Sequence, residues 1–299
     1  MNVVALIVTY NRLDKLKTTI EATLALPFQY IVVVNNASTD DTQSYLDSFC
    51  DERIKVLHRE VNSGGAGGFK YGARWITENL SSDWVLFYDD DAYPHTDFYD
   101  NLIRWQVQQG TVYCCKVLDT ENNLCKMNMP WKKYPHGILE NIAYLRQPEK
   151  FIPNGQSKEN VSSVSFVGML IDIKLLSSSI DYIYDDLFIY FDDVYFSYNL
   201  RLNAIPIIYV PELIIIHDVD TRTMPMSYWK LYYLVRNLIL SRVLFPKKAP
   251  FSRIDILLRV LKYFLIGIKN PDPKKAIGGI IKGISDGVKG RRGQGIQLI

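Results

Sequence analysis

Through the first hundred residues, short apolar runs alternate with stretches whose apolar positions recur every three or four residues. Val3–Val8, Tyr30–Val34, Ile54–His58 and Trp84–Tyr88 are rich in β-branched and aromatic residues and read as buried strands. After the first, Leu13, Leu16, Ile20 and Leu24 share one helical face, and Asn11 with Asp14 three residues on resembles a capping box that opens this helix. A short helix is expected through Tyr45 and Phe49, and Phe69, Ala73, Ile76 and Leu80 mark another before Trp84. Strands that are apolar throughout and separated by helices predict a mostly parallel, Rossmann-like α/β sheet covered on both faces.

The period fades over residues 118–160, expected as a hairpin with long loops. Order returns at Val164–Ile173, followed by an aromatic strand over Leu187–Phe191 and a helix over Asp192–Leu202. Strands over Ile207–Val210 and Leu213–Ile216 come next. Helices near Met226–Leu244, Ile254–Ile268 and Lys274–Lys289 finish the chain, punctuated by Pro246, Pro250, Pro271 and Pro273. This divides the chain into a domain over 1–225, with halves meeting near 117, and a helical extension over 226–299.

Composition adds one asymmetry. The 299 residues carry a net charge of +2, yet from Arg242 onward there are 13 Lys and Arg against 3 Asp and Glu. A basic end on an acidic body points to an anionic surface, and its confinement to one end argues for membrane over nucleic acid. In Ile254–Ile268, the residues Ile254, Leu257, Leu258, Leu261, Leu265 and Ile268 follow helical spacing, with Asp255, Arg259, Lys262 and Lys269 on another side. Such a helix either lies on anionic lipid or packs its apolar face on the domain. No run of about 18 apolar residues predicts a spanning helix. The N-terminus has no basic leader, and the four cysteines lack paired zinc spacing, so free thiols in the cytosol are expected.

In parallel sheets ligands gather at the carboxyl ends of strands. Every such end here is polar: Thr9-Tyr10-Asn11-Arg12, Asn35-Asn36, Asn62-Ser63-Gly64-Gly65 and Asp89-Asp90-Asp91. Three adjacent carboxylates repel unless a cation neutralises them, and oxygen-rich sites favour Mg²⁺ or Mn²⁺. The plainer alternative is a solvated loop. The glycines of "NSGGAGGFKYG" would let a diphosphate approach the backbone at a helix N-terminus, while Gly68 and Gly72 would also permit close helix–sheet packing. Asp192 and Asp193 open a helix, where capping competes with a general-base role. His217 ends an apolar strand, either structural or completing a carboxylate metal site.

Together "VTYNR", "VVVNNASTDDT", "NSGGAGGF", "DDDA", "FDDVYFSYNLRL" and "YYLVRN" resemble the motif series of family 2 glycosyltransferases of the GT-A fold, from Val3 to about Asn237. "NSGGAGGF" is similar to the galactofuranosyltransferase branch, and "YYLVRN" to a segment shared with rhamnosyltransferases. The resemblance implies that Asp89 and Asp91, with His217, hold Mg²⁺ or Mn²⁺, and that Asp193 is the base with Asp192 its companion. It assigns Thr9, Tyr10, Arg12, Asn35 and Asn36 to the nucleotide, Gly65, Ala66, Gly67 and Gly68 to the sugar side, and Asp90 to sugar or ribose. Asn35 stands where the family often has Asp, which leaves the nucleobase open.

The activity implied is an inverting, metal-dependent transfer from a nucleotide sugar, UDP-galactofuranose ahead of dTDP-rhamnose. The implied acceptor is a lipid-linked saccharide of a bacterial envelope polysaccharide such as O-antigen or capsule. The site of action would be the inner face of the plasma membrane, as a peripheral protein. A sugar nucleotidylyltransferase and a non-catalytic assembly scaffold are the alternatives.

Overall fold

The computed structural model describes residues 1–219 and 226–296. In chain order the elements are β1 (Val3–Thr9), α1 (Leu13–Leu24), β2 (Tyr30–Asn35), α2 (Thr42–Asp47), β3 (Ile54–His58), α3 (Gly64–Asn79), β4 (Trp84–Asp89) and β5 (Ala92–Pro94). There follow α4 (Phe98–Trp105), β6 (Val112–Leu118), α5 (Gly137–Arg146), β7 (Glu159–Asn160), β8 (Met169–Asp172) and α6 (Ile173–Ser179). The rest is α7 (Asp192–Leu202), β9 (Ile207–His217), α8 (Tyr228–Leu244), α9 (Arg253–Ile268) and α10 (Pro273–Val288).

One sheet runs β3-β2-β1-β4-β8-β6-β9-β5, with β7 paired to β9. Pairings among β3, β2, β1 and β4 are parallel, and β8 inserts antiparallel between β4 and β6. The period of two along β1 builds both layers of core. Val3, Ala5 and Ile7 pack with Leu16 and Ile20 of α1 and Phe98 and Leu102 of α4. Val4, Leu6 and Val8 pack with Phe69, Ala73 and Ile76 of α3 and with Phe196 and Leu200 of α7. A third cluster joins α7 to α8, α9 and α10 through Tyr195, Leu231, Val235, Leu238, Val260 and Ile280.

Six local expectations are corrected. Asn11 does not cap α1: it sits at φ 53°, and its Oδ1 accepts from the backbone N–H of Thr39 at 2.7 Å, which ties the end of β1 to the loop after β2. Arg12 takes the cap position instead. The stretch Leu187–Phe191 is no strand, as described below. Within Val164–Ile173 only Met169–Asp172 is strand, and the two strands expected over 207–216 are one, β9, with a register shift opposite Cys115 and Lys116. The aperiodic 118–160 stretch contains a helix, α5, with no buried residue. In α9 the expected polar side is split, with Asp255 and Arg259 turned inward and Lys262 and Lys269 exposed. Asp255 is fully buried, and Arg259 packs over the Phe251 ring at 5.0 Å. The boundary expected at 225, and the end of the extension at 297–299, lie outside the described residues.

Candidate active site

The carboxyl ends of β4 and β9 meet because β5 folds back antiparallel on β9, setting Ala92 opposite His217. Asp91 and His217, 126 positions apart, are thereby hydrogen-bonded: His217 Nε2 donates to Asp91 Oδ1 at 3.1 Å. The other ring nitrogen, Nδ1, donates to Asn128 Oδ1 at 2.9 Å, with the Cys125 thiol at 3.8 Å. Burial alone would lower the His217 pKa, but the bonds to Asp91 and Cys125 outweigh it and lift it to about 10. Asp91 also accepts from Arg12 Nη1 at 2.6 Å. Burial opposes its ionisation, yet His217 and Arg12 hold its carboxyl below the usual range.

The three aspartates face different ways. Asp90 is turned into the protein, where its Oδ2 accepts from Thr9 Oγ1 at 2.8 Å and the Tyr10 backbone at 3.3 Å. Its pKa is pushed up to about 6 by burial, against the pull of Arg12. Among the described residues nothing hydrogen-bonds the Asp89 carboxyl. Burial, with the charges of Asp91 and Asp90, raises its pKa. An unpartnered carboxyl beside a second carboxylate and an imidazole is a donor set suited to a hard divalent cation. No group of three or more His, Cys, Asp or Glu stands as a ready-made cage among the described residues.

One hollow of about 490 Å³ is lined by Arg12, Gly65, Asp89, Asp91, Asp192, Asp193 and His217. Asn128, Tyr190, Trp229 and Lys230 also line it, and none of them was singled out from sequence. Their only signal is proximity to motifs, since the segments carrying them are far apart in the chain.

Thr9, Asn35, Asn36 and Asp90 lie behind this wall and join its parts. Asn36 Nδ2 donates to Asn62 Oδ1 at 3.0 Å and to the Gly64 carbonyl at 2.9 Å, fastening β2 to the glycine turn. Asn35 bonds His58 at 3.0 Å and receives the Ser38 N–H at 3.0 Å. Gly64 has φ +72°, and a side chain there would strike the Phe188 carbonyl, while Gly65 has open space above it. Gly67 abuts Ser63, and Gly68 and Gly72 abut Val8 and Leu6, so α3 lies against β1 at a distance only glycine allows. Ala66, fully buried, donates its N–H to Phe188 O at 3.2 Å.

The opposite wall is the stretch before α7. Phe188, Tyr190 and Phe191 have φ of 71°, 66° and 66°, a left-handed conformation that bulky side chains rarely adopt. Two side chains of α8 hold it. Asn237 Nδ2 donates to the carbonyls of Leu187 (3.1 Å), Ile189 (2.8 Å) and Tyr190 (2.9 Å). Arg236, fully buried, donates to Leu187 O at 2.7 Å and to Gly293 O, and its Nε bonds Asn237 Oδ1 at 2.9 Å. The strain aims Asp192 and Asp193 into the hollow at the N-terminus of α7. Burial raises both carboxyls. Asp192 is driven well above the ordinary range, helped by Asp193 and Asp89, while Asp193 is pushed to about 6 and steadied by the Val194 N–H.

Comparison with known proteins agrees with this architecture. Residues 4–175 match the model for glycosyl transferase family 2. Among solved structures, S. aureus TarS 1-349 superposes with a TM-score of 0.53 at 15% identity, covering 97% of this chain and 92% of that one. GalNAc-T7 with UDP, GalNAc and Mn²⁺ gives 0.58 at 12%, covering 96% of this chain and 55% of that one. The mannosyltransferase PcManGT from Pyrobaculum calidifontis, in complex with GDP-Man and Mn²⁺, gives 0.53 at 16%, with 95% and 75% covered. No curated protein matches the sequence.

Proposed function

The chain belongs to glycosyl transferase family 2 and is a glycosyltransferase, and on that footing we propose that it moves galactofuranose from UDP-galactofuranose to a hydroxyl of a lipid-linked saccharide, with inversion. The observation that carries this reading is the meeting of two acidic groups in one hollow, Asp89 and Asp91 on one wall, Asp192 and Asp193 on the other. A displacement with inversion needs negative charge managed at the departing group and a base on the opposite face of the sugar.

Asp89, Asp91 and His217 would hold Mn²⁺ or Mg²⁺. Bound there, the cation supplies charge neutralisation for the departing diphosphate. GalNAc-T7 and PcManGT, both crystallised with Mn²⁺ and a nucleotide or nucleotide sugar, support both expectations. Asn128 orients His217, since it takes the Nδ1 proton and leaves Nε2 for the carboxylate or the ion. The N–H groups at the start of α3, near Gly65, Ala66, Gly67 and Gly68, favour the anionic diphosphate. Lys230 and Arg12 add positive charge to the same hollow. Thr9, Tyr10, Asn35 and Asn36 shape the nucleotide side, and Asp90 holds Thr9 and Arg12 in place on the ribose side.

Asp193 takes the acceptor proton. Its pKa near 6 leaves it ionised at neutral pH, and burial beside Asp193 and Asp89 raises Asp192 as well. The basic C-terminal stretch supports a peripheral station on the inner face of the plasma membrane. Among the described residues no helix is long and apolar enough to cross a bilayer.

Release of nucleoside diphosphate from a panel of UDP- and dTDP-sugars, with and without EDTA, tests the proposal. UDP-galactofuranose should give the fastest release. EDTA should abolish it, and excess Mn²⁺ should restore it. Undiminished turnover in EDTA rejects the metal, and exclusive use of dTDP-rhamnose rejects the donor.

A further inference from the structure

The helices α5 and α9 expose more apolar surface than any other part of the fold. Along α9, Ile254, Leu257, Leu261, Leu265 and Ile268 form one outward stripe, with Leu257 56% and Leu265 61% exposed. Beside it, α5 turns Leu139 and Leu145 outward, 83% and 81% exposed, with Ile142 between them. The two helices are joined underneath. Buried Asp255 caps α9 with Ser252 and accepts from the Gly137 N–H at 2.8 Å and Asn141 Nδ2 at 3.1 Å. α9 packs Val260, Tyr263 and Phe264 inward with this polar anchor, and leaves a second apolar face, the leucines, outside. Soluble monomers rarely leave so many large apolar side chains contiguous.

We infer that this face is a lipid-docking surface, seated in the interface of an anionic bilayer. Charge selects that occupant. Exposed Lys262 and Lys269 flank the stripe on one side and Arg253 on the other, and Lys274 and Lys275 continue from its end. An apolar stripe bordered by cations matches an anionic headgroup layer over acyl chains. A second copy fits poorly, because a two-fold contact would set the same lysines against each other.

The inward side of α9 packs Tyr263 and Phe264 into the cluster that joins α7, α8 and α10. The inference rests on the membrane station proposed above and names the face that makes it. It does not depend on the donor or on the base.

Sedimentation of the full chain with vesicles of phosphatidylcholine alone, or with about one third phosphatidylglycerol, tests this face. The wild type should bind the anionic vesicles. Leu261→Asp with Leu265→Asp should weaken binding at least about tenfold, and Lys262→Glu with Lys269→Glu should weaken it with loss of salt sensitivity. Release of nucleoside diphosphate from the donor in detergent-free buffer should be unchanged in both variants, which separates this face from the catalytic reading. Vesicle binding that survives both pairs of substitutions overturns the inference. So does absence of wild-type binding, or a dimer in light scattering that the leucine substitutions dissolve while vesicle binding stays intact.

Discussion

Asp193→Asn lowers glycosyl transfer by about 10²–10⁴-fold, the span a positioned general base contributes, with donor affinity preserved. Burial raises both carboxyls of α7, and Asp193, pushed to about 6, is the one that serves as base near pH 7. The wild-type rate should rise with pH through about 6 and level off above it, because the base acts deprotonated. The variant loses that limb. Stability moves the other way. The folded-state pKa of Asp193 lies above its ordinary value, so the folded protein binds the extra proton between roughly pH 4 and 6 and stability falls as pH rises through that window. Asn at 193 removes this cost, and thermal unfolding at pH 7.5 should show no loss. A folded variant that keeps wild-type turnover, or that keeps the limb near pH 6, rejects Asp193 as the base.

Asn237→Leu acts from behind the same wall. One carboxamide nitrogen serves the carbonyls of Leu187, Ile189 and Tyr190; Leu187 keeps its Arg236 donor, but the leucine leaves the carbonyls of Ile189 and Tyr190 and the buried Arg236 Nε short of a partner. Each unsatisfied group costs about 1–3 kcal/mol, so a loss of roughly 3 kcal/mol or more in stability is expected. At about 2–4 °C per kcal/mol, Tm falls by several degrees. Without the clamp, Phe188, Tyr190 and Phe191 relax from their left-handed conformation and carry Asp193 with them. A displacement near 1 Å costs on the order of 10²-fold in rate. Measured well below the new Tm, kcat should fall about that much with donor KM little changed. Lowered Tm with unchanged kcat would make the clamp purely structural.

The parts of this account that were legible in the sequence are those written in local pattern. Residues 3–8, 30–34, 54–58 and 84–88 announce buried strands because a doubly covered sheet demands unbroken apolar runs, and the polar residues that end them share its rim. His217 at a strand end is open from sequence to a structural or a carboxylate-site reading, and the family resemblance pairs it with Asp91. Their contact is made by the three-residue strand β5, too short to leave a period.

The misreadings have equally physical causes. Leu187–Phe191 is aromatic and β-branched, so it reads as a strand. Its left-handed turns are imposed by Arg236 and Asn237, about fifty residues away. α5 escaped notice because apolar periodicity signals a helix by its buried face, and this helix buries none of its residues. α9 has apolar residues on two sides. Sequence alone did not show that Tyr263 and Phe264 turn inward while Leu257, Leu261 and Leu265 turn out.

The central claim is that donor-side carboxylates and an acceptor-side base face each other across one hollow. The anomeric configuration of the sugar in the product, read by NMR against that of whichever nucleotide sugar the enzyme accepts, tests it most directly. Inversion is the result predicted by Asp193 opposite Asp89 and Asp91. Retention of configuration would contradict it.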